Sequence, residues 1–313
     1  MSALMAVQVF GLALLLDVTV GDPPNSLHPV AWMGRYIAWA RRRVAVTSNW
    51  LRFLLGVVVL ALGIAIVLVI ALLIQDYCRS LPWWLALMLQ AVLFKCTFSV
   101  RALARAARRV QEALSQDNVP EARHQVAYHL VSRDVSHANA TELSAATIES
   151  VAENTSDSVV APWFYFIIAG LPGALVYRFV NTCDAMLGYR TPELEWFGKP
   201  AARLDDLLNL IPSRLTALLM LVGYGCAVGR LRAGLAIWWR DRKITASPNA
   251  GQPMSVAAGV LGVALEKPDH YVLGRGLALP SSQTILAAQR LLWSTVLLGA
   301  VGVVACLVVR GVL

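Results

Sequence analysis

LRFLLGVVVLALGIAIVLVIALLI spans residues 51–74 and contains one charged side chain, Arg52, as its second residue. A helix needs about 20 mostly apolar residues to cross the hydrocarbon core of a bilayer, and this stretch is long enough. Because backbone polar groups cannot stay unpaired in hydrocarbon, such a segment must be helical. The stretch therefore predicts an integral membrane protein.

The composition of the whole chain agrees with this prediction. Its 313 residues are 58% hydrophobic and 15% charged, whereas soluble domains average about 45–50% apolar and about 25% charged residues. Five further apolar windows are candidate membrane elements: residues 5–20, 81–98, 159–180, 215–239 and 291–309. The first window lacks a basic leader and a small-residue cleavage site, so we expect it to be retained rather than removed as a signal peptide.

Basic residues predict the orientation of the chain. Two arginine groups flank the second and third windows: Arg41, Arg42 and Arg43 before the second, and Arg101, Arg105, Arg108 and Arg109 after the third. The positive-inside rule places both groups in the cytoplasm and the amino terminus outside. We therefore expect a multi-pass protein of the cell membrane with a cytoplasmic active site and no nucleic-acid partner. Five scattered cysteines without a CxxC pair indicate reduced, structural thiols.

Two of the windows are interrupted. Gly170, Pro172 and Gly173 lie in the middle of the fourth, where glycine and proline weaken a continuous helix. Arg230 and Arg232 interrupt the fifth. Broken backbone is tolerated at membrane depth where it lines a protein cavity, so we favour re-entrant or interfacial helices. In the alternative arrangement both windows cross, and residues 181–213 lie outside.

The sequence thus predicts an all-α, polytopic membrane protein that forms one membrane-embedded domain, residues 1–313. The polar segments 99–158, 181–213 and 240–289 then share the cytoplasmic face and form the site. Within the first segment, the pattern predicts an amphipathic helix over residues 101–114. Pro120 is typical of the start of a second helix, which runs to Tyr128.

Carboxylates are concentrated in ESVAENTSD, residues 149–157. Glu149, Glu153 and Asp157 recur every four residues, which on a helix places them in one stripe with Asn154 beside it. Like charges at this spacing destabilise a helix by about 0.2–0.5 kcal/mol per pair, so a cation or arginines should lie among them. A solvated acidic face is the alternative, but apolar residues flank the stripe and weaken that interpretation.

ARLDDLLN, residues 202–209, carries a second group of oxygen atoms. On a helix Asp205 and Asn209 share one face, and Asp206 points about a quarter turn away. Carboxylate and amide oxygens suit Mg²⁺, which usually binds through one or two carboxylates together with water and substrate phosphates. Arg203 and Arg214 are placed to bind those phosphates. Alternatively, the aspartates stabilise the first turn of a helix.

Other polar motifs are less specific. NTCDAMLGY, residues 181–189, adds Asn181 and Asp184 one helical turn apart. SRD (132–134) and SPNAG (247–251) are typical of turns and caps. His28, beside proline and tryptophan, is more typical of a packed residue than of a ligand. The chain has no GxxxxGK[ST], HExxH or GxSxG motif, so a nucleotide would have to be bound without a P-loop.

Together these segments resemble the CobD/CbiB family of cobalamin biosynthesis membrane proteins, the adenosylcobinamide-phosphate synthases. The resemblance rests on six motifs in order: DVTVGDPPNSLHPVAWMGR (17–35), LVSRDVS (130–136), TIESVAENTSDSVVAPWFY (147–165), YRFVNTCDAMLGYR (177–190), FGKPAARLDDLLNLIPSRLTAL (197–218) and SPNAGQPMSVAAGVLGVALEKP (247–268). The match spans most of the chain, from residue 17 to residue 268. Gln252 stands where the family usually has an aromatic residue, and the match after Gly274 is loose.

The resemblance implies ATP-dependent formation of an amide with Mg²⁺. It would join a propionate of adenosylcobyric acid to the amine of aminopropanol phosphate, or of free aminopropanol. The product is adenosylcobinamide phosphate, or adenosylcobinamide. The lipid bilayer and other membrane enzymes of the late pathway are the further partners that we expect.

This reaction assigns roles to the polar motifs. We expect Asp205, Asp206 and Asn209 to bind Mg²⁺, and Glu153 to accept a proton from the attacking ammonium. The residues that we expect at the reacting groups are Glu149, Glu153, Asn154, Asp157, Asn181 and Asp184. Those that we expect to bind ATP are Arg133, Arg203, Arg214 and Asn249.

Two other functions fit parts of the pattern. An intramembrane prenyltransferase binds a diphosphate and Mg²⁺ through aspartate-rich helices that face a long apolar tunnel, but the acidic motifs here are not doubled DxxD motifs. A non-enzymatic membrane subunit or transporter would have its charges dispersed across helix midpoints, whereas here they are concentrated in three polar stretches. The synthase is therefore the favoured hypothesis.

Overall fold

The chain is almost entirely helical. The computed structural model describes residues 2–42, 48–189 and 191–312, so Arg43 and Arg190 lie outside the described residues. The described helices are α1 (Ala3–Thr19), α2 (Pro29–Arg41), α3 (Asn49–Ser80), α4 (Trp83–Lys95), α5 (Val100–Ser115), α6 (Val119–His129), α7 (Ala140–Thr155), α8 (Ala161–Leu187), α9 (Glu195–Leu208), α10 (Leu210–Met220), α11 (Leu231–Asp241), α12 (Gly251–Leu261) and α13 (Ser282–Val312). Two short antiparallel strands, β1 (Leu265–Lys267) and β2 (Tyr271–Leu273), form a hairpin.

Four helical stretches of the described residues are long and apolar enough to cross a membrane. They are Asn49–Ser80, Trp83–Ser115, Ala140–Leu187 and Ser282–Gly311. A fifth results if the bent pair Glu195–Leu208 and Leu210–Gly225 counts as one span, and α1 is apolar but shorter. The prediction of an all-α, polytopic membrane protein is confirmed, and residues 51–74 lie within the first of these stretches.

Two compact units make up the fold. Unit 1 comprises Met1–Ser99, Ala161–Asn209 and Val303–Leu313, and unit 2 comprises Val100–Val160 and Leu210–Gly302. Each unit brings together segments that are distant in the sequence. That residues 1–313 form one membrane-embedded domain stays a prediction.

The core of unit 1 contains a cluster of aromatic rings. Phe94 of α4 stacks on Phe166 of α8 with 4.0 Å between ring centroids. Trp163 meets Phe10 and Phe98 edge-on at 5.1 and 5.7 Å. All five side chains are fully buried. Because such ring pairs add about 0.5–1.5 kcal/mol beyond their apolar burial, the cluster helps to hold α1, α4 and α8 in place.

Small residues let α3 pack closely in unit 1. The carbonyl of Phe197 on α9 occupies the place where a side chain at Gly56 would lie, and the ring of Phe179 on α8 does the same at Gly63. Membrane helices commonly approach each other through small residues. The position of α9, which carries residues 203–208, is therefore set by its packing along α3.

The fourth apolar window turns back on itself within α8, and this confirms the predicted break. Ala169 and Gly170 leave helical geometry, and Gly170 has a φ of 64°. The rings of Tyr165 and Tyr177, on either side of the break, stack with 5.1 Å between their centroids. Twelve residues of straight helix would separate them by about 18 Å. The two halves of α8 therefore lie side by side near the break.

A donor from elsewhere in unit 1 satisfies the broken backbone. The guanidinium of Arg310, near the end of α13, donates to the carbonyl of Ile167. Interrupted helices at membrane depth are tolerated where neighbouring groups supply the missing hydrogen bonds.

The fifth window is also interrupted, as predicted. Leu221–Gly225 forms a π-helical turn after α10. Gly229 has a φ of 69°, and Arg230, the residue before α11, makes no side-chain capping bond to it.

A buried lysine links the ends of α1 and α4 in unit 1. The ammonium of Lys95 lies 3.5 Å from the Asp17 carboxylate and pairs with Asp22. Burial disfavours the charge on Asp22, but hydrogen bonds to His28 and Lys95 outweigh this effect and lower its pKa. His28 also caps α2, because its Nδ1 accepts the N–H of Val30 at 3.2 Å. His28 is thus a packed residue, as the sequence favours.

Unit 2 begins with both helices predicted for its first polar segment. One face of α5 buries Leu103, Ala107 and Val110, while Arg105 and Arg108 are exposed. Asn118 directly precedes α6, and Asn139 directly precedes α7. Each asparagine side chain accepts a backbone N–H of the first turn of its helix. Such caps stabilise a helix by about 1 kcal/mol.

The most buried element of unit 2 is α12, in which residues 251–260 are all buried. Gly259 packs against Gly234 of α11 at a distance that leaves no room for a side chain. Asp241, the last residue of α11, accepts the backbone N–H of Gly274 at 2.7 Å. Because Gly274 directly follows β2, this bond fixes the position of the hairpin within unit 2.

Candidate active site

Unit 1 holds a buried carboxylate between two amides. Asp205 is 7% exposed. Its Oδ1 accepts the side-chain N–H of Asn181 at 3.2 Å, and its Oδ2 accepts that of Asn209 at 2.9 Å. The predicted shared face of Asp205 and Asn209 is therefore present, and Asn181 of α8 is brought to it. We call Tyr177, Arg178, Asn181, Asp205 and Asn209 the Asp205 cluster.

Two tyrosines fix the end of α9 at this cluster. The Tyr177 hydroxyl donates to the side-chain oxygen of Asn209 at 2.9 Å, and the Tyr165 hydroxyl donates to the carbonyl of Leu208 at 2.9 Å. The last carbonyls of a helix have no partner within it, and the second of these bonds satisfies one of them. The break at Gly170 thus serves the site, because it brings both tyrosines to one place.

The Asp205 cluster excludes one interpretation of the sequence. Asp205 and Asp206 lie in the last turn of α9, not in its first. The negative end of the helix dipole disfavours carboxylates there. The alternative that these aspartates stabilise a helix start is therefore wrong, and neighbouring donors must compensate for their position.

Three more of the predicted residues lie in unit 1. Asp206 is half-buried, and its carboxylate is 4.0 Å from Arg203, whose side chain is 74% exposed. Arg178 donates to the side-chain oxygen of Asn181 at 3.3 Å. Asp184 lies half-buried on α8, one turn after Asn181. Arg203 thus presents a largely solvated guanidinium beside the Asp205 cluster, and a solvated guanidinium can bind phosphate.

The oxygen atoms near Asp205 suit Mg²⁺ only as part of a larger ligand set. Among the described residues, no three His, Cys, Asp or Glu side chains are grouped as metal ligands. Both oxygens of Asp205 already accept an amide N–H, although each carboxylate oxygen has a further lone pair. The donors present fit an ion that also carries water and nucleotide phosphates. Mg²⁺ binding by Asp205, Asp206 and Asn209 stays a prediction.

Unit 2 holds a second group of charges, around Glu149. The carboxylate of Glu149 lies 3.7 Å from Arg133 and is almost fully buried. Glu153 follows one helical turn later on α7, and Lys267 and Tyr271 of the hairpin line the same cavity. We call Ser132, Arg133, Glu149, Glu153, Lys267 and Tyr271 the Glu149 pocket. We expected a cation or arginines to lie among the carboxylates of the acidic stripe, and Arg133 is such an arginine.

Two of these residues, Lys267 and Tyr271, were not predicted. They are directly paired across the hairpin, with the lysine ammonium 5.9 Å from the tyrosine ring centroid. Burial and the nearby Glu149 and Glu153 raise the pKa of Tyr271, so that its hydroxyl stays protonated. The available signal was the ALEKP sequence at the end of the sixth motif, which includes the lysine. Nothing local indicated its partner.

The acidic stripe predicted for residues 149–157 is only partly formed. Glu149 and Glu153 lie on α7, but Asp157 lies in a π-helical turn, Ser156–Val160. The wider π-helical turn breaks the four-residue repeat that aligns the first two carboxylates. Asn154 bonds within its helix, since its amide donates to the Ser150 carbonyl at 3.0 Å and its oxygen accepts from Ser158 at 3.2 Å.

Unit 2 also contains a contact between two of the predicted site residues, Arg214 and Asn249. Arg214 of α10 lies 3.4 Å from the side-chain oxygen of Asn249, and Ser213 donates to the same oxygen at 3.3 Å. Arg214 is exposed, whereas Asn249 is 5% exposed. The SPNAG turn thus orients one face of Arg214, while the rest of its guanidinium is open to solvent.

Other predicted features are structural. Asp134 accepts the backbone N–H of Ser136 at 2.8 Å, which confirms a turn in SRD. Gln252 accepts the indole N–H of Trp238 at 2.9 Å. The five cysteines form no disulfide in the described part of the chain. That the polar segments gather at one aqueous edge stays a prediction.

This chain is similar to known proteins of cobalamin biosynthesis. A protein-family profile described as CobD/Cbib protein matches residues 10–301. The cobalamin biosynthesis protein CobD of Dehalococcoides mccartyi is 42% identical over 277 residues, which is 88% of this chain and 89% of the relative. The probable cobalamin biosynthesis protein CobD of Methanothermobacter thermautotrophicus is 38% identical over 93% of this chain and 95% of its own. The cobalamin biosynthesis protein CobD of Klebsiella pneumoniae is 35% identical over 271 residues, which is 85% of this chain and 84% of the relative. No solved structure matches.

Proposed function

The chain belongs to the CobD/CbiB family of cobalamin biosynthesis proteins, and we propose that it catalyses ATP-dependent amide formation in that pathway. The bond joins a propionate of adenosylcobyric acid to the amine of aminopropanol phosphate, or of free aminopropanol. The product is adenosylcobinamide phosphate, or adenosylcobinamide. The observation that carries the proposal is the family match over residues 10–301, which includes all of the Asp205 cluster and the Glu149 pocket.

The proposed chemistry has two steps. A carboxylate is a poor electrophile, so one of its oxygens first attacks the terminal phosphorus of ATP. ADP leaves, and an acyl phosphate forms. The ammonium first gives up a proton, the amine nitrogen so formed attacks the acyl carbon, inorganic phosphate leaves, and the nitrogen loses a second proton. Phosphoryl transfer of this kind depends on positioning and on cations rather than on a protein nucleophile.

The Asp205 cluster supports the nucleotide part of this proposal. We assign the Mg²⁺ of magnesium-bound ATP to Asp205, Asp206 and Asn209, which would hold it together with the ATP phosphates, and Arg203 to an anionic phosphate oxygen. The amide and tyrosine hydrogen bonds hold Asp205 and Asn209 in one geometry. A positioned donor set of this kind is worth several kcal/mol in a transition state that develops charge. That Arg214, which Asn249 orients in unit 2, binds a phosphate oxygen stays a prediction.

The Glu149 pocket supports the proton transfer. Glu153 is half-buried beside Glu149 and lines a cavity. A carboxylate placed there can accept the proton that the amine nitrogen loses, a step that typically contributes about 10²–10⁴-fold in rate. Arg133 in the same pocket keeps the local charge balanced.

A reconstituted reaction tests the proposed function. The full chain, purified in detergent, is incubated with adenosylcobyric acid, aminopropanol phosphate, ATP and Mg²⁺, and corrinoids are followed by mass. We expect a product that retains the phosphate and has lost one water relative to its two substrates, together with one ADP for each amide. Omission of ATP should abolish the product. No amidated corrinoid with either aminoalcohol, or equal product without ATP, would contradict the proposal.

We also propose that the site faces the cytoplasm of the cell membrane. Cysteines introduced at positions 190 and 250 test this by labelling of intact cells with an impermeant reagent. The exposed Cys226 and Cys306 must first be replaced, because they would label as well. We expect neither position to label until the cells are opened. Labelling of the two positions from opposite faces would exclude a common side.

A further inference from the structure

The Glu149 pocket has an open cavity at its centre. The cavity measures about 180 Å³ and is lined by Arg133, Glu149, Glu153, Lys267 and Tyr271. These are two cations, two carboxylates and a phenol. Cavities that hold drug-sized ligands measure about 300–1,000 Å³, so this one suits a much smaller molecule. A corrin ring and a nucleotide are both too large for it.

One atom in the cavity lacks a partner. Glu149 is 6% exposed, and its Oε2 faces Arg133 at 3.7 Å. Its Oε1 is buried and accepts no hydrogen bond from the residues that the structure describes. A buried acceptor left unpaired is unfavourable, and more so if it is charged. This oxygen therefore calls for a donor from a ligand.

The hairpin brings cations to the same cavity. Lys267 and Tyr271 are directly opposite each other across β1 and β2, so their side chains project from one face. Lys267 and Arg133 together give two positive groups in a pocket that also holds two carboxylates. The pocket therefore offers positive groups and acidic groups at separate places in one cavity.

We propose that the Glu149 pocket binds the amine substrate as a small zwitterion, an aminoalkyl phosphate. Arg133 and Lys267 bind its phosphate, and Glu149 and Glu153 bind its ammonium, with Glu149 Oε1 as one acceptor. This assignment rests on the proposed function and deepens it. It also moves Arg133 from ATP, where the sequence placed it, to the phosphate of the aminoalcohol.

The Tyr271 hydroxyl completes the recognition. Because it stays protonated, it can donate to a phosphate oxygen or to a carboxylate. Recognition of both ends explains why the pocket is small. The short carbon chain of an aminopropanol phosphate separates its ammonium from its phosphate by a distance that one such cavity spans.

Binding measurements with three probes test the inference. Calorimetry on the full chain in detergent compares aminopropanol phosphate, free aminopropanol and propyl phosphate. We expect Lys267→Met to raise the Kd of aminopropanol phosphate and propyl phosphate at least tenfold, equivalent to about 1.4 kcal/mol. The Kd of free aminopropanol should change less than twofold. Glu149→Gln should show the converse, with loss confined to the two amines.

Matched variants keep the test decisive. Lys243→Met replaces an exposed lysine after α11 and should leave every Kd unchanged. Lys267→Arg keeps the charge and should retain most of the phosphate affinity, which a merely structural role of Lys267 would not predict. Aminopropanol phosphate binding that is unchanged in Lys267→Met, or binding that falls equally for all three probes, overturns the inference.

The two proposals fail in different ways. If the protein makes the amide but Lys267→Met leaves the KM for aminopropanol phosphate within twofold, the amine site lies elsewhere and the function stands. If the probes bind with the expected selectivity but no amide forms, the site stands and the proposed function fails.

Discussion

The Asp205 cluster and the Glu149 pocket both surround a buried carboxylate, but they satisfy it differently. Asp205 accepts a hydrogen bond at each of its oxygens, from Asn181 and Asn209. Glu149 faces Arg133 through one oxygen, while the other has no described hydrogen-bond partner. The first carboxylate is held by amides, and the second lies among charges beside an open cavity.

This difference indicates different tasks. A carboxylate held by neutral amides in one geometry is suited to orient a bound group, because its own position cannot change cheaply. A buried carboxylate with an unpaired oxygen is suited to receive a ligand that brings a donor. We therefore assign the nucleotide to the Asp205 cluster and the amine to the Glu149 pocket. Four substitutions break or sharpen this contrast.

Glu153→Gln should have the largest effect. Loss of the proton acceptor is expected to lower kcat about 10²–10⁴-fold while the KM for ATP stays within twofold. Steady-state kinetics of amide formation measure both values. Glu266→Gln is the control. Glu266 is exposed on β1, and the variant should have near-normal kcat and KM. A changed KM for ATP with normal kcat would move nucleotide binding to this pocket.

Asp205→Asn should follow, with activity reduced about 100-fold. An amide at this position keeps one acceptor oxygen, so its NH₂ opposes the N–H of either Asn181 or Asn209. Misplacement of a positioning group by about 1 Å costs about 10²-fold. The KM for ATP is expected to rise. Asp76→Asn alters a carboxylate that is 75% exposed and should leave kinetics unchanged. Near-normal turnover with correct membrane insertion would remove Asp205 from the site.

Tyr177→Phe should reduce activity about tenfold and lower stability. It leaves the buried oxygen of Asn209 without its donor, which costs about 1–3 kcal/mol. Denaturant titration in mixed micelles measures the free energy of unfolding. Tyr189→Phe, at an exposed tyrosine, should change it by less than about 0.5 kcal/mol. Equal stability of the two variants would show that the cluster does not depend on this bond.

Gly170→Ala should affect stability more than chemistry. A side chain at the φ of 64° and ψ of −154° found here costs about 1–3 kcal/mol. Activity per folded molecule is expected to fall less than in the other variants. Gly302→Ala, in α13 with no atom within 4 Å of the added carbon, should be neutral or stabilising. If Gly170→Ala were as stable and as active as Gly302→Ala, the turn in α8 would not constrain the Asp205 cluster.

Much of the fold could be predicted from local sequence. Residues 51–74 and three of the other apolar windows lie largely in helical stretches that are long and apolar enough to cross a membrane. This could be predicted because transfer free energy depends mainly on each residue's own side chain. Gly170 and Arg230 were also correctly identified as interruptions. Glycine weakens a helix and arginine is unfavourable among apolar residues, and both effects belong to the residue itself. The amphipathic α5 followed from its period of apolar residues. None of these predictions required knowledge of which helix packs on which.

The site could be predicted only in part. The shared face of Asp205 and Asn209 follows from the helical repeat, and so does that of Glu149 and Glu153. The repeat did not indicate the π-helical turn that moves Asp157 out of line, because a π-helical turn inside a helix depends on its surroundings. It also gave no sign that Asp205 and Asp206 lie in the last turn of their helix rather than the first.

What the sequence by itself determined, therefore, is that this chain lies in a membrane, where its helices break, and which polar side chains share a helical face. Only the tertiary structure decided the partners: Tyr177 for Asn209, Arg133 for Glu149, and Lys267 and Tyr271 for the same pocket. The physical reason is range. Hydropathy and helical period act between neighbours along the chain. Partners that are 16 to 122 residues apart meet only when the chain folds and its helices pack.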